Sequence, residues 1–113
     1  MNQKFEVDLL EEAFEYLQSL DLKHRAKILQ NVRRAQFHHD PKLFKKLNDE
    51  IWEFRTLYAG LQYRLLAFWD KTDKKQTLVL ATHGFIKKTS KVDKKEIEKA
   101  ERIRQVYFKN KGL

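Results

Sequence analysis

The sequence predicts an α+β fold, in which a small antiparallel sheet of three or four strands is flanked by an N-terminal helical pair and a C-terminal helix. Three observations predict it. Two stretches with helical spacing of apolar residues precede Pro41, three stretches rich in β-branched and aromatic residues follow it, and a basic amphipathic stretch comes last. The expected order is β-α-α-β-β-β-α. With 113 residues, the chain has the size of a single domain, residues 1–113.

The N-terminal third predicts a short strand and then two helices. The segment KFEVD has the composition of a strand that could join the sheet at its edge. Asp8 and Glu11 have the spacing of a capping box at the start of DLLEEAFEYLQSL. Asp21 is placed to cap a second helix, LKHRAKILQNVRRAQFHH. Pro41 discourages helix at the residue before it, so the second helix should end there.

The middle of the chain predicts a three-stranded meander. Its segments are IWEFRTLY, QYRLLAFW and QTLVLATHGF. A tight turn at Ala59-Gly60-Leu61 separates the first two segments, and the polar loop DKTDKK separates the second and third. Connections this short join antiparallel neighbours.

A last helix, KKEIEKAERIRQVYFK, follows Asp93. Asp93 and Glu96 repeat the capping-box spacing. Ile97, Ala100 and Ile103 recur at helical spacing and form an apolar stripe, which should dock on the sheet.

The charge distribution indicates a polyanionic partner. The net charge is +8, and residues 74–113 carry the whole excess, with 12 Lys/Arg against 4 Asp/Glu, whereas residues 1–73 balance at 12 of each. Nucleic acid or an acidic protein would fit this segregation, although a lysine-rich solubilising tail has the same composition. The chain has no cysteine, signal peptide or long apolar run, so we expect a soluble, cytoplasmic protein with no membrane partner.

Three basic or titratable residues interrupt the apolar meander, namely Arg55, Arg64 and His83. An arginine buried in a central strand is costly unless it is paired. Each arginine therefore either has a partner, such as Glu53 or Asp70, or serves a ligand. Strand alternation puts Glu53 and Arg55 on the same face. The pairing register, which decides whether Arg64 joins them, is not fixed by the sequence.

The residues after His83 add to the case for a site. Gly84 permits close approach of a ligand to the backbone, and Phe85 offers a ring on which a base could stack. Positive charge comes from Lys87, Lys88 and Lys91.

This set of residues suits metal-free cleavage of RNA. The ribose 2′-hydroxyl attacks its own phosphate when a base removes its proton, and an imidazole can serve as base or acid. Guanidinium groups stabilise the charge that develops on the phosphoryl oxygens. Because no metal-ligand spacing is present, we expect neither a metal nor another cofactor.

Several segments resemble the RelE/HigB-like toxins of type II toxin–antitoxin pairs, a part of the RelE/ParE superfamily, and in particular their phage-derived, host-inhibition-type branch. These segments are WEFR, Gly60, YRLLAF, THGFIKKTSK and KKEIEKAERIRQVY, in that order. The likeness extends from about Phe5 to Tyr107. It implies the same fold and the activity of an mRNA interferase, an endoribonuclease that inhibits translation, commonly in the ribosomal A site. It also implies mRNA, the ribosome and a small antitoxin with a helix-turn-helix DNA-binding domain as partners.

The resemblance also implies roles for single residues. Arg64 in YRLL matches the strand arginine that stabilises the phosphate, and Arg55 is a second cation. His83 falls near the strand end where relatives keep a histidine, arginine or tyrosine. Lys87 and Lys88 would contact the RNA backbone or ribosomal RNA.

The chain also departs from this pattern. Some relatives place lysines in the strand where this chain has Glu53 and Arg55, and Tyr107 lies on a helix, where we expect it to pack against the sheet. Two alternatives stay open. Relatives of ParE type share the fold but act on DNA gyrase without catalysis, and a catalytically silent relative would only bind RNA or a partner.

Overall fold

The computed structural model describes residues 2–75 and 77–112. Within them the chain forms five strands and three helices. In chain order these are β1 (Glu6–Leu9), α1 (Glu11–Gln18), α2 (Leu22–Phe37), β2 (Phe44–Lys46), β3 (Trp52–Tyr58), β4 (Leu61–Asp70), β5 (Leu78–Ile86) and α3 (Lys94–Asn110). None of these helices is long and apolar enough to cross a lipid bilayer.

The strands form one sheet in the order β1-β5-β4-β3-β2, which confirms the predicted α+β class. β3, β4 and β5 are antiparallel neighbours, as the short connections predicted. Two details differ from the prediction. β1 lies at the edge as expected but runs parallel to β5, and β2 adds a further edge strand next to β3. No short hairpin joins β1 to β5, so nothing forces them to be antiparallel.

The tight turn between β3 and β4 consists of Ala59 and Gly60. Both residues have positive φ angles, 52° and 75°. Two residues in the left-handed region form the hairpin turn whose twist matches that of the flanking strands. The turn fixes the register of β3 against β4, on which the candidate site depends.

The two faces of the sheet bury separate apolar clusters. On the helical-pair face, α1 and α2 cover strand residues that include Phe54, Leu65 and Val79. On the α3 face, the last helix covers Leu66 and Phe68 among others. Because both faces of the sheet are covered, the strands carry apolar residues at odd and even positions alike.

The helix starts confirm two of the three predicted caps. Asp21 accepts a hydrogen bond from the backbone N–H of Lys23, and Asp93 accepts one from that of Lys95. The prediction for Asp8 was wrong, because Asp8 belongs to β1, and α1 begins after Leu10 without a side-chain cap. Asp8 pairs with β5 as part of β1, so it does not serve as the N-cap residue of α1.

Candidate functional site

The register of the meander places the predicted site residues on one face of the sheet. Arg55 of β3 pairs with Arg64 of β4, and Arg64 pairs with Phe85 of β5. Paired residues on neighbouring strands project to the same side. This side is the α3 face, because Leu66, two residues after Arg64, packs in the cluster beneath α3. The sequence could not establish this juxtaposition, and the structure does.

A β-bulge brings His83 to the same face. Leu66 pairs with His83 but Ala67 pairs with Ala81, so Thr82 has no partner on β4. An extra residue of this kind reverses the faces to which the following side chains of the strand project. Without the bulge, strict alternation would turn His83 toward the helical pair, since Ala81 belongs to that cluster.

The centre of the site is a buried ion pair. The Nε of Arg64 lies 2.9 Å from Oε1 of Glu53, and both side chains are about 95% or more buried. Arg64 also donates to the carbonyl of Tyr63 at 2.9 Å and to the side chain of Gln62 at 3.1 Å. Burial lowers the pKa of Arg64, and the Glu53 carboxylate opposes this effect. The guanidinium stays charged at neutral pH and is held in one orientation.

Further cations surround this ion pair. The Nε of Arg55 lies 3.8 Å from the other carboxylate oxygen of Glu53, and Lys45 pairs with Glu53 across β2 and β3. Lys87 lies close by, since its backbone N–H donates to the carbonyl of Gln62 at 2.8 Å. Burial and then the charge of Arg64 lower the pKa of Lys87, while Glu53 opposes this shift. We call Lys45, Arg55, Arg64 and Lys87, gathered around Glu53, the cationic cluster.

The cationic cluster opens to solvent at a hollow. This hollow has a volume of about 260 Å³, and Arg55, Arg64 and Gln62 are among the residues that line it. Phe85 and Lys87 are half-buried beside it. Guanidinium groups at an open hollow can bind a phosphate, which prefers planar, charged donors.

The imidazole of His83 is engaged at both nitrogens. Its Nδ1 lies 2.9 Å from Oγ1 of Thr82, and its Nε2 lies 3.1 Å from Oε1 of Glu96. The ring stacks on Phe85 with centroids 5.8 Å apart. Burial lowers the pKa of His83, while the hydrogen bond to Glu96 opposes that shift. His83 is therefore neutral at neutral pH and covered by the first turn of α3.

The structure changes the interpretation of Gly84. A Cβ atom at this position would lie 2.3 Å from a ring carbon of Tyr16 and 2.8 Å from the side chain of Leu65. The ring of Tyr16 fills the space above the glycine, so the close approach that we expected from a ligand is made by α1. Gly84 is needed for packing on the helical-pair face.

The other predicted residues are placed less centrally. Lys88 and Lys91 are exposed in the segment between β5 and α3 and form no ion pair within the described residues. Tyr107 packs against Phe68 with ring centroids 5.3 Å apart, which confirms that it covers the sheet.

Sequence reasoning missed the central position of Glu53, which it treated only as a partner for an arginine. This carboxylate is 4% exposed and lies 2.9 Å from Nε of Arg64 and 3.8 Å from Nε of Arg55. The sequence did contain a sign of this. Glu53 stands two residues before Arg55 in the same strand, so both side chains had to lie on one face of the sheet.

The comparison with protein families agrees with the family resemblance seen in the sequence. A family model described as "Phage derived protein Gp49-like (DUF891)" matches residues 15–105, which is most of the chain. No curated protein matches the sequence. The chain belongs to the Gp49-like family, which is a family of RelE/HigB-like toxins from toxin–antitoxin pairs.

Proposed function

We propose that the protein is an mRNA interferase, an endoribonuclease toxin that cleaves mRNA on the ribosome by attack of the ribose 2′-hydroxyl. The observation that carries this proposal is the cationic cluster, where two arginines pair with one buried carboxylate and two further lysines belong to the same cluster, beside an open hollow. One acid cannot neutralise four bases, so the site has positive charge available for a polyanion. The family supports the toxin role, since RelE-like toxins are generally endoribonucleases.

The residues of the cluster suit the chemical step. A phosphate at the hollow would accept hydrogen bonds from Arg55 and Arg64, which stabilise the charge on its oxygens in the transition state. Glu53 would take the proton of the 2′-hydroxyl, and the oxygen would then bond to phosphorus. The bond from phosphorus to the 5′-oxygen breaks, and His83 returns a proton to that oxygen. The products are a 2′,3′-cyclic phosphate and a free 5′-hydroxyl.

This assignment gives Glu53 and His83 different tasks because their surroundings differ. The carboxylate of Glu53 lies 2.9 Å from Nε of Arg64, so a 2′-hydroxyl next to a phosphate bound by that arginine would lie close to it. His83 forms a hydrogen bond with Glu96 in the free protein. When that contact opens, the imidazole can take up a proton from solvent and donate it to the leaving 5′-oxygen. For the reaction to occur, the phosphate must compete with Glu53 for Arg64, and the contact between His83 and Glu96 must open.

The partners follow from the same charges. The positive excess in residues 74–113 favours association with ribosomal and messenger RNA. The family implies an antitoxin partner. A chain this basic would be neutralised by an acidic antitoxin segment that covers the cationic cluster.

The test is a map of RNA ends in a translating cell extract with and without the protein. We expect new ends with a 2′,3′-cyclic phosphate on ribosome-bound mRNA. Arg55→Gln and Lys87→Gln should each reduce cleavage by about 10²-fold, because both cations are partly accessible. The matched controls Arg34→Gln and Lys23→Gln remove exposed charges from α2 and should cleave as the unmodified protein does.

A second pair of variants tests His83. His83→Asn should abolish cleavage while the protein stays folded by circular dichroism, and Glu96→Gln should retain cleavage because it keeps a hydrogen-bond partner. Intact mRNA together with inhibited DNA supercoiling would instead identify a gyrase-directed toxin. RNA binding without new ends would identify a catalytically silent relative.

A further inference from the structure

A second cavity lies on the opposite face of the sheet. Its volume is about 580 Å³, within the range of about 300–1,000 Å³ that is common for small-ligand sites. We call it the aromatic hollow, because Phe44, Trp52 and Trp69 line it. These residues project to the helical-pair face, since Phe44 pairs with Phe54 and Trp52 pairs with Ala67. The cationic cluster on the α3 face does not use this hollow.

The rings of the aromatic hollow are preorganised. Phe44 stacks on Trp52 with centroids 4.9 Å apart, and Trp52 meets Trp69 edge-on at 5.5 Å. Both tryptophans are half-buried, so part of each indole is open to a ligand. The indole N–H of Trp69 is buried and has no hydrogen-bond partner within the described part of the chain. A flat, partly apolar ligand with hydrogen-bonding edges fits such a wall.

The rim of the aromatic hollow carries charges suited to a phosphate. Lys4, Lys46 and Lys71 line it, and the Nζ of Lys71 lies 5.3 Å from the ring centre of Trp69. Three acids, Asp40, Asp49 and Glu50, line it as well. Of these three acids, only Glu50 has a cation as its partner among the described residues. Asp40 accepts from the backbone N–H of Lys42 at 2.9 Å, and Glu50 lies 3.0 Å from the guanidinium of Arg104.

The edge strand β2 links the two sites. Lys45 projects to the α3 face, where it pairs with Glu53 in the cationic cluster, and Lys46 projects to the opposite face beside Trp52. β2 is only three residues long and is an edge strand of the sheet that the described residues form. A single strand of RNA bound at the cationic cluster can therefore pass around this edge between two adjacent lysines.

We propose that the aromatic hollow binds a nucleobase of the single-stranded RNA substrate, on the face of the sheet opposite the cationic cluster. The base stacks on the indole rings, and the lysines of the rim bind the flanking phosphate. This proposal rests on the proposed function for the identity of the ligand. It assigns the hollow a role in choosing which RNA segment is held at the cleavage site.

The protein carries its own reporter for this test. Its only two tryptophans, Trp52 and Trp69, both line the aromatic hollow, so stacking of a base should quench intrinsic fluorescence directly. The probes are adenosine 5′-monophosphate, which has no internucleotide bond to cleave, and a short oligoadenylate with 2′-O-methyl riboses. We expect saturable quenching by both probes, with tighter binding of the oligonucleotide because it also reaches the cationic cluster.

Variants separate the two sites. The double variant Lys46→Glu, Lys71→Glu should weaken binding of the mononucleotide by about tenfold, because two attractive charges become repulsive. The double variant Lys23→Glu, Lys109→Glu makes the same change in net charge at exposed positions outside the hollow and should bind normally. Arg55→Gln should weaken binding of the oligonucleotide and leave the mononucleotide unaffected.

The outcomes distinguish this proposal from the proposed function. Quenching that depends on the rim lysines, in a protein that leaves mRNA intact, would support the hollow and overturn the interferase assignment. Cleavage of mRNA by a protein whose fluorescence neither probe changes would overturn the hollow alone. Quenching that persists unchanged in the Lys46→Glu, Lys71→Glu variant would also overturn it.

Discussion

Two charged clusters lie on the α3 face at opposite ends of β4, and they solve the problem of buried charge in opposite ways. Arg64, near the start of β4, belongs to the cationic cluster, in which two arginines share the carboxylate of Glu53 and two lysines add further positive charge. Asp70, at the end of β4, belongs to a second cluster with Thr72, Tyr107 and Lys111, which we call the Asp70 cluster. The charges balance in the Asp70 cluster only.

The Asp70 cluster is fully satisfied. Its carboxylate accepts hydrogen bonds from Tyr107 and Lys111, both at 2.5 Å, and from the N–H and hydroxyl of Thr72, at 2.9 and 2.7 Å. Burial alone would raise the pKa of Asp70, but these bonds outweigh it and hold the pKa well below its usual range. Tyr107 and Lys111 lie at the end of α3, so the cluster fixes that end of the helix to the sheet.

From this comparison we propose that the Asp70 cluster serves stability and that the cationic cluster serves a ligand. A balanced, hydrogen-bonded carboxylate that joins a helix to a strand needs nothing from outside. The cationic cluster retains repulsion between its members, because Arg64 adds to the effect of burial in lowering the pKa of Lys87. Repulsion of this kind persists in a fold when a polyanion relieves it on binding. Each experiment below tests this contrast.

The largest effect should come from removing the one acid of the cationic cluster. Glu53→Gln leaves the buried guanidinium of Arg64 without a counter-charge and next to other cations. We expect the free energy of unfolding to fall by about 3–5 kcal/mol, measured by urea denaturation followed by circular dichroism. Adding Arg64→Gln to this variant should restore part of the loss, since the buried charge disappears. A Glu53→Gln variant as stable as the unmodified protein would contradict the role of Glu53 as the counter-ion.

The sequence predicted the strands and helices that carry the two clusters better than it predicted how these elements pack together. The strands that carry Arg55, Arg64 and His83 follow from local composition, and the helix starts at Asp21 and Asp93 follow from capping chemistry. These features depend on residues a few positions apart, which a sequence displays directly.

The arrangement depends on contacts between distant segments. The bulge at Thr82 turns His83 to the α3 face, and no local pattern marks it. The three residues of β2 are too few to show a period, and Asp8 fits a helix cap as well as a strand. The space above Gly84 is filled by Tyr16, which lies far away in the sequence. Pairing and packing decide these features, so the sequence could name Glu53 as a candidate partner of the arginines but could not give the arrangement around them.

A smaller effect should follow from breaking the balanced cluster. Asp70→Asn keeps the shape of the side chain but removes the charge that Lys111 and Tyr107 bind, and we expect a loss of about 2 kcal/mol at pH 7. Because the folded pKa of Asp70 is depressed, its contribution is present above the unfolded pKa of about 3.9 and is lost as the pH falls below it.

The measurement is the free energy of unfolding of Asp70→Asn and the unmodified protein from pH 7 to pH 2. The difference between them should be constant down to about pH 4 and shrink below that value. The matched control is Asp73→Asn, an exposed acid in the following loop, which should change stability little at any pH. A difference that does not depend on pH would show that the charge of Asp70 is not what holds α3.

The smallest effect should be a gain of stability from relieving repulsion in the cationic cluster. Lys87→Gln removes a charge that burial and Arg64 disfavour, so we expect the free energy of unfolding to rise by less than about 1 kcal/mol at low salt. The gain should diminish in about 1 M salt, where exposed charges are screened within about 3 Å. The folded pKa of Lys87 is depressed, so its penalty should also disappear as the pH rises toward the ordinary value of 10.5.

Lys88→Gln is the matched control, because Lys88 is the next residue but is exposed and unpaired within the described residues. It should leave stability unchanged at every salt concentration. Two results would contradict this prediction: a loss of stability in Lys87→Gln, or an equal gain of stability in Lys88→Gln. Either would show that charge repulsion at the cationic cluster is no stronger than at an exposed lysine. A gain confined to Lys87, together with weaker RNA cleavage, would show that the charge that costs stability is the charge that binds the substrate.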